Sequence, residues 1–63
     1  QADPASVPTL RHGLHDAEPL VRSASAWALG RMSTPEAVAG LRERLDVETE
    51  PRVREEIEAA LGR

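Results

Sequence analysis

The chain contains no cysteine, phenylalanine, tyrosine or lysine, and only one tryptophan, Trp27. Without cysteine there is no disulfide to staple a small fold. This chain alone also cannot supply thiolates to a metal or to an iron–sulfur cluster. With so few aromatics, any core must be built from Leu, Val and Ala. No apolar run approaches the length of a secretion signal or a membrane span, so the expected setting is soluble and cytoplasmic, with no membrane. The first residue is Gln rather than Met, which leads us to expect a piece of a longer protein. A basic excess is missing as well: the net charge is −3, and every basic residue is Arg. A free-standing nucleic-acid binder is expected to be more basic. The acid is unevenly placed. Residues 1–31 balance Arg11, Arg22 and Arg31 against Asp3, Asp16 and Glu18, so the second half holds all the negative charge.

The sequence does contain a repeat. A shift of 32 residues lays Glu18, Pro19, Val21 and Arg22 on Glu50, Pro51, Val53 and Arg54, and "ALGR" (28–31) on "ALGR" (60–63). That is eight identities in fourteen positions, more than composition would give. A shift of 31 lays Pro4, Val7, Leu10 and Leu14 on Pro35, Val38, Leu41 and Leu45. The one-residue difference falls where a turn between helices can absorb it.

Each unit reads as a helical hairpin. The first helix is expected to open at Pro4 behind Asp3, and again at Pro35 behind Thr34, with Ser33 and Glu36 as an alternative capping box. Val7, Leu10 and Leu14, like Val38, Leu41 and Leu45, recur at helical spacing. The second helix opens near Pro19 and Pro51, and glycine closes it at Gly30 and near Gly62. In the first unit Val21, Ala24, Ala28 and Met32 form the expected inward stripe, widened by Leu20 and Trp27. In the second unit Leu20, Ala24 and Trp27 become Arg52, Glu56 and Ala59, while Val53, Ile57 and Ala60 keep the stripe. Stacked repeats need a polar terminal unit. The expected fold class is therefore all-α: two stacked hairpins, residues 3–32 and 33–63, the second a C-terminal cap, with the N-terminal side a cut edge facing upstream repeats.

Trp27 reads as packing between helices or as a partner hot spot, with Leu20 beside it as packing or interface. His12 and His15 with Asp16 resemble a metal constellation only loosely, and surface or helix-end roles compete. Arg22 and Arg54 form a ladder one repeat apart, and Arg11 and Arg42 form another. Their guanidinium groups suit either local bonds or phosphates. The local partners would be Asp16 or Glu18 for Arg22, and Glu48 or Glu50 for Arg54. No phosphate loop, nucleophile–base pair or metal cluster is written in the sequence. The chain itself is therefore expected to be no enzyme, with no catalytic, metal or cofactor residue. Gly13 and Gly40 cost helix propensity where close packing would justify them.

The pattern Asp16, Pro19, Val21, Arg22, Ala24 or Ser25, Ala28, Leu29 and Gly30 resembles a HEAT-like repeat of the phycobilisome-lyase type, giving a HEAT-like α-solenoid. The second unit repeats it through Pro51, Val53, Arg54, Ala60, Leu61 and Gly62 and departs at Glu56. Leu20–Gly30 and Val53–Leu61 also look like the C-terminal end of epoxyqueuosine reductases, with Ser25 where that family tends to have Ala. The resemblance implies an oxidoreductase parent in queuosine biosynthesis, whose [4Fe-4S] clusters and cobalamin sit in upstream domains. It also implies a non-catalytic tail that grips tRNA, with Arg11, Arg22, Arg42 and Arg54 on the backbone. The alternative is a protein–protein interaction scaffold of an unrelated HEAT-repeat protein.

Overall fold

A proline in the first turn opens each of the four helices, where its missing N–H costs nothing. The computed structural model describes residues 6–62. It places α1 at Val7–Gly13, α2 at Pro19–Met32, α3 at Pro35–Leu45 and α4 at Pro51–Leu61. The expected start at Asp3 and Pro4 lies outside the described residues. Within them, Ser6 caps α1, its Oγ accepting from the Thr9 amide at 3.4 Å. Thr34 caps α3 as expected, accepting from the Ala37 amide at 3.1 Å.

The closing glycines need correction. Helix α2 runs past Gly30 to Met32, and no described glycine has a positive φ. Ser33 takes the left-handed turn instead, at φ 55°, with its Oγ donating to the Gly30 carbonyl at 2.9 Å. The added residues bring Met32 against the core. Gly62 follows α4 in the right-handed region, at φ −83°.

Helices α1 and α3 form one layer and α2 and α4 the other, with the broadest contact between α2 and α4. Helix α1 touches α2 and α3 but not α4, as in stacked hairpins. One core runs through both units: Leu14, Ala26, Leu29, Ala37, Leu41, Val53, Ile57 and Ala60 are buried. The stripe Val53, Ile57 and Ala60 thus points inward as expected.

The stripe on α2 does so only in part: Met32 packs against the core and Ala28 is half-buried, but Val21 and Ala24 are not covered. The buried residues are Arg22, Ser25, Ala26, Leu29 and Gly30, while Leu20, Val21, Ala24 and Trp27 are exposed. Apolar residues surround most of α2, so periodicity alone could not choose a face. The second hairpin arrives on the Arg22 side, where Glu48 holds it. The buried positions on that side of α2 include Arg22, Ala26 and Leu29, matched at the 32-residue shift by Arg54, Glu58 and Leu61. Glu58, exposed on α4, stands at the position of buried Ala26, and Arg52, also exposed, at that of Leu20.

Two glycines let the helices approach. A Cβ on Gly13 would collide with Ser25 Oγ, and one on Gly40 would meet Arg11 Cγ at 2.8 Å.

Candidate interaction surface

Where the two hairpins meet, a buried carboxylate gathers their turns. Glu48, 3% exposed, lies in the α3–α4 turn. Arg22 grips it with both arms of its fork, Nε to Oε1 at 2.8 Å and Nη2 to Oε2 at 3.0 Å, the bidentate geometry that makes such pairs strong. Arg44 Nε adds a bond to Oε1 at 2.9 Å, and the Glu50 amide donates to Oε2 at 3.0 Å. Burial alone would push this carboxyl up. The bonds from Arg22, the Glu50 amide and Arg44 outweigh it and hold Glu48 at about 2. In return, the Glu48 carboxylate raises Arg22 above its ordinary value, against the pull of burial.

The remaining Arg22 nitrogen, Nη1, donates to the carbonyls of Asp16 and Ala17 at 2.8 and 3.2 Å. Arg54 repeats this in the second unit, its Nη1 donating to the carbonyls of Leu45 and Glu48 at 2.9 and 3.0 Å. The expected hydrogen bonds to the turns are therefore present. The carboxylate held by Arg22 comes from the following unit rather than from Asp16 or Glu18. Arg11 pairs with Glu43 at 3.0 Å across the α1–α3 layer, and Arg42 is exposed. Of the four arginines, two tie down turns, one bridges helices and one faces solvent.

Sequence reasoning missed Arg44 and the hub role of Glu48. A signal for the hub was present: Asp16 and Glu48 align at the 32-residue shift, three positions before Pro19 and Pro51. Each accepts from the amide two residues on, Asp16 Oδ1 from Glu18 at 2.9 Å. His12 and His15 are exposed, and Arg44 Nη1 contacts His15 Nδ1 at 3.2 Å.

The other feature is apolar. Along α2, Leu20, Ala24, Trp27 and Arg31 recur at i, i+4, i+7 and i+11, one face of a helix. Leu20 is 76% exposed, Trp27 48% and neighbouring Val21 39%. The Arg31 guanidinium lies 5.0 Å from the Trp27 ring centroid, a cation–π stack. Leu20 and Trp27, expected as packing or interface, thus stand on the surface. An open groove of about 510 Å³ lined by Val7, Pro8, Arg11 and Glu36 lies apart from this face.

Residues 1–62 match the family model described as HEAT repeats. No curated protein and no solved structure matches. The iron–sulfur, [4Fe-4S] and cobalamin chemistry implied by the reductase resemblance is corrected for this chain. It has no cysteine, and no group of three or more His, Cys, Asp or Glu among the described residues could hold a metal ion. No described helix is long and apolar enough to cross a membrane.

Proposed function

Because the chain belongs to the HEAT-repeat family, we propose that it acts as a protein-binding scaffold module whose contact surface is the α2 face of Leu20, Val21, Ala24 and Trp27. The observation that carries this reading is that apolar face, left exposed on a helix whose opposite side is fully packed. Large exposed apolar side chains grouped together mark interaction sites, and Trp is the residue type most enriched at their hot spots.

The competing reading, the tRNA-gripping tail of a queuosine-forming reductase, rests on arginines as phosphate contacts. Arg22 and Arg54 spend their forks on Glu48 and on turn carbonyls, Arg11 faces Glu43, and the chain carries net negative charge. Those placements favour a protein partner.

A dye and a polyanion separate the two readings. At micromolar protein, the apolar dye anilinonaphthalene sulfonate should brighten on the folded chain, and Leu20→Glu should cut that signal several-fold without loss of helicity. Bulk tRNA should leave Trp27 emission unchanged at low and physiological salt. A tRNA complex with a steep salt dependence, weakened by Arg42→Glu, would overturn the scaffold reading.

A further inference from the structure

We draw no further inference here: the strongest candidate, the outer edge of the Arg54 guanidinium on α4, matches the edge with which Arg22 holds Glu48 but only repeats the contact between hairpins already described, and nothing among the described residues shows what would cover it.

Discussion

Glu48 is the residue on which both hairpins depend. Its carboxylate receives two bonds from Arg22, one from Arg44 and one from the Glu50 amide. Glu48→Gln keeps the shape but removes the charge that balances a buried guanidinium. Breaking a buried pair in this way should cost about 3 kcal/mol, read by urea denaturation at neutral pH. The pH dependence follows from the depressed carboxyl. Its stability contribution is present above the unfolded value and is lost as pH falls through about 2. Denaturation midpoints taken down that range should fall more steeply for the natural chain than for Glu48→Gln. Ser33 offers a gain instead. A left-handed residue other than glycine is strained, so Ser33→Gly should add about 1 kcal/mol, less what the Oγ bond to Gly30 supplies. A thermal melt reads the difference.

At the scale of the element, caps and first-turn prolines set where the helices begin, and glycines set how closely they pack. Gly13 and Gly40 look alike in the sequence, but their surroundings differ. A Cβ at Gly13 would strike Ser25, whose short side chain is itself buried on α2. Gly13→Ala should therefore destabilise by about 2 kcal/mol, as overpacking does. At Gly40 the obstacle is the flexible stem of Arg11, half exposed and able to swing aside. Gly40→Ala should be near neutral, since the roughly 1 kcal/mol gain in helix propensity offsets the rearrangement. Paired thermal melts of the two variants check this contrast.

Over the whole molecule, the core is shared rather than divided between the units. Leu14 and Leu29 come from the first hairpin, Leu41 and Ile57 from the second, and all four are almost fully buried. Leu29→Ala should cost about 3 kcal/mol through the cavity it opens. Because both hairpins line that cavity, they should still unfold together. Hydrogen exchange followed along α1 and α4 should report the same loss of protection. Protection retained in one hairpin alone would show separate cores.

The sequence alone determined the two-unit repeat, the helical hairpins, the prolines that open α2, α3 and α4, the Thr34 cap and the inward stripe of α4, whereas α1 opens behind Ser6 with Pro8 in its first turn. These follow from local chemistry and from a periodicity with a single clear apolar side. Tertiary structure decided the rest. Helix α2 is apolar around too much of its circumference for spacing to say which side is covered. The Arg22–Glu48 pair settles that question, and with it the exposure of Leu20 and Trp27. Its partners lie 26 residues apart, so it exists only once the second hairpin has docked. The closing turn at Ser33 is likewise tertiary in origin. It lies where extension of α2 brings Met32 to the core, and that gain outweighs the preference of the left-handed turn for glycine.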